Sequence, residues 1–142
     1  MPAVTTPTMF SATVLADDVA ATARFYVEHF GFETRLDIGW FVTLHHDDRP
    51  YEMCVIARDH DSVPDGFHVA PAGVVVAFMV DDVDAYAARF AAAEVPVVTP
   101  VRDEPWGQRH TYITDPAGTL IDVVQPTVPD PAWLEAHGLG GE

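Results

Sequence analysis

Gln108, Arg109, His110 and Asp122 are the residues best suited to chemistry in this chain, and they fall within EPWGQRHTYITDPAGTLIDVVQ, residues 104–125. An imidazole and a carboxylate can exchange a proton or hold a divalent ion. A guanidinium and a carboxylate can pair, or clamp a polar group on a ligand. The two apolar runs on either side of DPAG read as strands, and DPAG reads as the turn between them. If that turn sets Thr114 opposite Thr119, Thr111 faces Asp122. Arg109, Thr111, Ile113, Leu120, Asp122 and Val124 then share one side, and Arg109 lies diagonal to Asp122. A slip of one residue exchanges the sides and brings His110 in instead. Both registers are open at this level. An Arg109–Asp122 pair could equally be a plain cross-strand ion pair.

The elements that must hold these residues come in two similar sets. ADDVAATARF at 16–25 is echoed by VDDVDAYAARF at 80–90, with Asp17, Asp18, Val19, Ala21 and Ala23 returning as Asp81, Asp82, Val83, Ala85 and Ala87. An apolar strand-like run precedes each copy: FSATVLA, then VVVAFMV. Asp18 and Asp82 are suited to N-capping, because a carboxylate accepts from the unpaired N–H groups of a first helical turn. The first helix is expected from Asp18 to about Phe30, with Gly31 as its stop. The second is expected from Asp82 to about Ala93, ended by Pro96. Three strands follow each helix: FETRLDI, GWFVTLHH and YEMCVIA, then VPVVTPV, QRHTYIT and TLIDVVQ. The predicted order is β-α-β-β-β twice, over 8–57 and 73–125. A Pro- and Gly-containing linker spans 58–72, and the tail at 126–142 carries a short helix near Trp133.

Composition narrows the function. A 142-residue chain with 49% hydrophobic residues suits one globular unit with a substantial core. The formal net charge is -15, from 7 basic residues, all Arg, and 22 acidic ones. Such a surface repels nucleic-acid phosphates and anionic lipid, so neither is an expected partner. No apolar run is long enough to cross a bilayer, and MPAVTTPTMF lacks the features of a secretory leader. With one cysteine, Cys54, no internal disulfide forms, which suits the cytoplasm. Cys54 lies in an apolar run and reads as a buried, inert thiol. The seven histidines fit no zinc spacing, and solvated surface is the reading for those outside the hairpin.

The duplicated DDV-A-A-ARF entry and the DP-G-LI-V closure resemble the vicinal oxygen chelate superfamily, which includes glyoxalases, extradiol dioxygenases and bleomycin-resistance proteins. The resemblance covers roughly residues 8–125. It implies an α+β fold of two βαβββ modules forming a curved mixed-sheet cup. It also implies four metal-ligand positions, on the first and last strands of each module. By count from the helix caps these fall on Ser11 and Val75, and on Glu52 or Cys54 and Asp122. Val75 cannot ligate and Ser11 is a poor ligand. The expectation is therefore no metal and no other cofactor, with a divalent ion the less favoured case. The resemblance is nearest the bleomycin-resistance type, which sequesters a small aromatic or antibiotic-like molecule, commonly as a homodimer. Trp40, Phe41, Glu52, Trp106, Arg109, Thr111 and Asp122 are the candidate ligand-binding residues. The alternative is a glyoxalase-like lyase or isomerase, or a dioxygenase, with Glu52 and Asp122 as catalytic candidates.

Overall fold

The computed structural model describes residues 3 and 5–141, so the N-terminal stretch read for a leader and the end of the tail fall partly outside it. The elements run β1 Ala12–Ala16, α1 Val19–Phe30, β2 Glu33–Asp37, β3 Phe41–His45 and β4 Glu52–Ala57. They continue as β5 Val75–Met79, α2 Val83–Ala92, β6 Val97–Glu104, β7 Gln108–Thr114, β8 Leu120–Pro126 and α3 Pro131–Ala136. Two compact units meet in sequence between Ala70 and Pro71. Each holds one four-stranded mixed sheet, ordered β1-β4-β3-β2 and β5-β8-β7-β6. In each, the strand before the helix runs parallel to the last strand, and the remaining pairs are antiparallel. This is the expected α+β fold of two βαβββ modules.

Local chemistry places the helices. The Asp18 carboxylate accepts from Ala21 N–H at 2.9 Å, and Asp82 accepts from Ala85 N–H at 3.1 Å. Each such cap is worth about 1 kcal/mol. Gly31 ends α1 in the left-handed region at φ 71°, and its N–H reaches the Tyr26 carbonyl. Of the residues at helical spacing on α1, Val19, Thr22, Ala23, Tyr26 and Phe30 are buried, while Val27, expected on the same stripe, is exposed. Alternation along the first sheet does the rest. Val14, Val42, Leu44, Met53 and Val55 are buried on one side, against which α1 packs through β3 and β4. Thr13, Thr43, His45, Glu52 and Cys54 occupy the other, helix-free side.

In the second module α2 packs on β6, β7 and β8. Ile113, Ile121 and Val123 are fully buried there beside Val83 and Phe90. β6 is an edge strand, which accommodates Pro100, and its pairing with β7 shifts twice between Val97 and Arg102. Those irregularities extend β6 to Glu104, beyond the predicted strand. No helix among the described residues is long and apolar enough to cross a membrane.

Of the two registers left open, the hairpin takes the one that brings His110 in. Thr114 pairs with Leu120, Tyr112 with Asp122 and His110 with Val124. The alternative Thr114–Thr119 and Thr111–Asp122 pairings do not occur. The cause is Asp115. Its N–H donates to the Thr119 carbonyl at 3.1 Å, so Asp115 and Thr119 close the turn. Its buried carboxylate accepts from Ala117 N–H at 2.8 Å and Thr119 N–H at 2.9 Å, knotting the turn from inside. The turn therefore lies between Asp115 and Thr119, one residue shorter on the β7 side than DPAG suggests, and every side chain of one strand changes face relative to the other.

Candidate functional site

The register brings His110, Tyr112 and Asp122 together on the helix-free face of the second sheet. His110 is 4% exposed, and its Nδ1 lies 2.8 Å from Asp122 Oδ1. Its Nε2 lies 3.1 Å from Glu104 Oε1. Side-chain exposure is only 11% for Glu104 and 12% for Asp122. An ionised carboxylate only accepts, while a neutral imidazole carries one N–H. Both contacts are hydrogen bonds only when the trio holds one proton more than a neutral ring supplies. Arg102, half out in solvent, also pairs with Glu104. The result is a line of contacts along the face, Arg102, Glu104, His110 and Asp122, ending at the Tyr112 phenol.

The line shifts the groups at its ends. Donation from His110 is the main cause holding the Glu104 carboxyl below the usual range, and Arg102 adds to it. Burial, then the Asp122 charge and a hydrogen bond to Asp122, push the Tyr112 phenol up. For Glu104 the folded state binds protons more weakly than the unfolded chain. Its contribution to stability is present above the ordinary value of 4.5 and lost as pH falls through the lower folded value. Denaturant titrations should show stability falling on acidification below about pH 4.5, with that part of the slope flattened in Glu104→Gln. An unaltered slope in the variant would remove Glu104 from the line.

Arg109 and Thr111 are not on this face. The Arg109 guanidinium holds Asp84 at the start of α2 with two bonds, of 2.8 and 3.0 Å, and Asp103 with a third at 3.2 Å. This corrects the expected pairing of Arg109 with Asp122. Thr111 is buried on the helix side, where its hydroxyl donates to the Thr99 carbonyl at 2.7 Å. Gln125 is on that side too, capping α2 through a bond to Val83 N–H.

Trp106 is 43% exposed, and its Nε1 donates to Gln108 at 2.9 Å. Its ring lies 6.1 Å from that of Trp133 on α3. The tail is strapped over this corner by bonds from Thr127 N–H to the Gly107 carbonyl and from Asp130 N–H to that of Pro105. Gly107 has φ 106°, and a Cβ there would meet Pro129 and the Thr127 carbonyl at 2.9 Å. In the first module Trp40 stacks flat on His60, 3.6 Å between centroids, with Phe41 at 5.7 Å. Glu52 is bound by Arg35 at 2.9 Å. Cys54 is only partly buried, short of the buried thiol expected, and that burial pushes its thiol up.

His46 and His29 depart from the expected solvated surface: His46 packs against Phe32 and Tyr51, and His29 against Phe25, both partly buried, whereas His137 stays exposed beside Trp133. Glu104 went unread as a partner of His110 because the bulges of β6 have no sequence signature. The Asp at the start of DPAG was the available signal for the register, since a side chain there can close an Asx turn.

The chain thus combines two βαβββ modules, each with a four-stranded mixed sheet. A family model described as the glyoxalase/bleomycin resistance protein/dioxygenase superfamily matches residues 8–123, and the chain belongs to that superfamily. It is 29% identical over 130 residues to an uncharacterised protein of Mycobacterium bovis, covering 82% of each chain. Among solved structures it is similar to a lactoylglutathione lyase from Agrobacterium tumefaciens, at 28% identity and TM-score 0.65, covering 84% of this chain and 94% of that one. It is also similar to an antibiotic binding protein from Streptomyces sp. CB03234, at 25% identity and TM-score 0.65, covering 89% and 100%.

Members of the superfamily often use a metal, and the side chains at those positions do not fit one here. Val75 is aliphatic, and the residue paired with Asp122 across β5 is Ala77. Asp122 is committed to His110. Glu52 is committed to Arg35, and Ser11 offers a lone exposed hydroxyl. Glu104 and Asp122 bracket opposite nitrogens of one ring, so they do not converge on a common point.

Proposed function

We propose that this chain binds a small aromatic or antibiotic-like molecule on its helix-free sheet faces without a resident metal at the superfamily's usual positions. The observation that carries the reading is the commitment of Asp122 to His110 beside Ala77 and Val75, which turns a metal position into a polar recognition group. Around it the second module offers Tyr112, the exposed edge of Trp106, and the exposed apolar side chains of Val75 and Met79. The first module offers Trp40 and Phe41. Flat faces of this kind suit stacking. The carboxylates and the charge of -15 favour a cationic ligand. The similarity to an antibiotic binding protein supports the same direction. The chain is further proposed to work in the cytoplasm as a homodimer, a state that sedimentation of the purified protein reads directly.

The test is titration of tryptophan fluorescence with flat cationic natural products. Saturable quenching is expected, and Trp106→Ala should weaken binding by about 1 kcal/mol, or roughly fivefold. An affinity unchanged in the variant removes Trp106 from the site. No saturable response to any such compound overturns the reading.

A second reading is an acid–base lyase or isomerase. It is favoured by the contact of His110 with Asp122, an arrangement able to move a proton, and by the similarity to a lactoylglutathione lyase. Turnover lost in both Asp122→Asn and His110→Gln would establish it over simple binding.

A further inference from the structure

We propose that Glu33, His45 and Asp47, at one end of the first sheet, form a site for a divalent transition-metal ion of the zinc type. Glu33 and His45 are paired residues of the β2–β3 ladder, and Asp47 lies two residues on, in the turn toward β4. One ligating atom from each lies within 4.8 Å of the other two, the only such convergence of three among the described residues.

Convergence of exposed carboxylates alone would mean little; the orientation of the imidazole is what makes the site. His45 Nδ1 is 3.2 Å from the Glu33 backbone carbonyl. A carbonyl can only accept, so Nδ1 carries the proton. In the neutral ring Nε2 then presents a lone pair. That lone pair faces Asp47 Oδ1 at 3.1 Å, one acceptor against another. A second ring proton or a metal ion between them would satisfy both, and the metal is the proposal. Metal-bound histidines commonly anchor the other ring nitrogen on a carbonyl in this way, which fixes the tautomer and aims the lone pair. The separation also fits. Two ligands at about 2.0–2.1 Å from a tetrahedral ion lie about 3.3 Å apart, close to the N···O gap seen here.

The surroundings define the ion's class. Glu52 pairs with His45 across the strands, but Arg35 holds its carboxylate, leaving Glu33 and Asp47 as the acidic ligands. One imidazole and two carboxylates suit zinc, cobalt or nickel better than magnesium or calcium, which prefer oxygen alone. His45 is only 16% exposed while Asp47 is 76% exposed, so the ion would sit at the rim with positions left for water. None of these three residues belongs to the positions through which the superfamily's metal was tested above.

The experiment is calorimetric titration of the full chain with zinc alone, after treatment with chelator and its removal. About one saturable equivalent is expected. It should be lost in His45→Gln, weakened at least tenfold in Asp47→Asn, and retained in His137→Ala, with circular dichroism showing each variant folded. On the intact protein, histidine side-chain NMR should show zinc moving the His45 Nε2 resonance first. Absence of saturable binding overturns the site, as does binding that survives both His45→Gln and Asp47→Asn. If zinc leaves His45 unmoved, the facing acceptors are bridged by a proton, and the proposal fails.

Discussion

Asp122→Ala should destabilise the second module by about 2–3 kcal/mol and abolish ligand binding on its helix-free face. The carboxylate is buried beside His110 Nδ1 at 2.8 Å and bears on the Tyr112 phenol. Its removal strands a buried donor while Glu104 still holds the other ring nitrogen. A charge-assisted bond lost with one partner left buried has about this cost. For a chain of this size it corresponds to a fall in Tm of roughly 5–10 °C. Asp122→Asn keeps an oxygen acceptor and should recover part of the loss. Because the two residues act as one unit, the effects of Asp122→Ala and His110→Phe should fall well short of additive. Additive losses, or a variant as stable as the parent, would mean that the line from Glu104 to Asp122 does not hold the face together. The same variant tests the proposed absence of a metal role. Metal in the purified protein that vanishes with Asp122→Ala would overturn the binding reading, whereas metal that persists would point to the His45 site.

Asp115→Ala is expected to be nearly as damaging, although Asp115 touches no candidate ligand position. Its carboxylate is 4% exposed and takes bonds from Ala117 and Thr119 N–H. Alanine leaves both donors without that acceptor inside a tight turn, a loss of about 2 kcal/mol or more. The larger consequence is geometric. The turn sets which face of β8 meets which face of β7, so loosening it weakens the pairing that puts Asp122 beside His110. Urea unfolding should show the lost stability, and cross-strand NOEs between Tyr112 and Asp122 should weaken with it. Stability within about 0.5 kcal/mol of the parent, with those NOEs intact, would mean that packing alone sets the register.

Much of the architecture is legible in the residues themselves. Asp18 and Asp82 mark helix starts, Gly31 marks a stop, and the apolar period switches from helical to alternating after each helix. These signals act over a few residues, so they survive without knowledge of the rest of the chain. Their duplication was enough to reveal two βαβββ modules. The site was less legible. Asp122 could be singled out from its place after DPAG, yet whether Arg109 or His110 shared its face stayed open, because the register was open. A strand repeats every two residues, so a turn miscounted by one inverts every face assignment beyond it. The buried Asp115 carboxylate decided that count. Two shifts in the edge strand β6 then carried Glu104 to the far side of the His110 ring. Local sequence determined which elements form and where they stop. Only the tertiary structure decided which side chains share a face, because that depends on register between strands and on bulges, and neither is encoded in the period of any one strand.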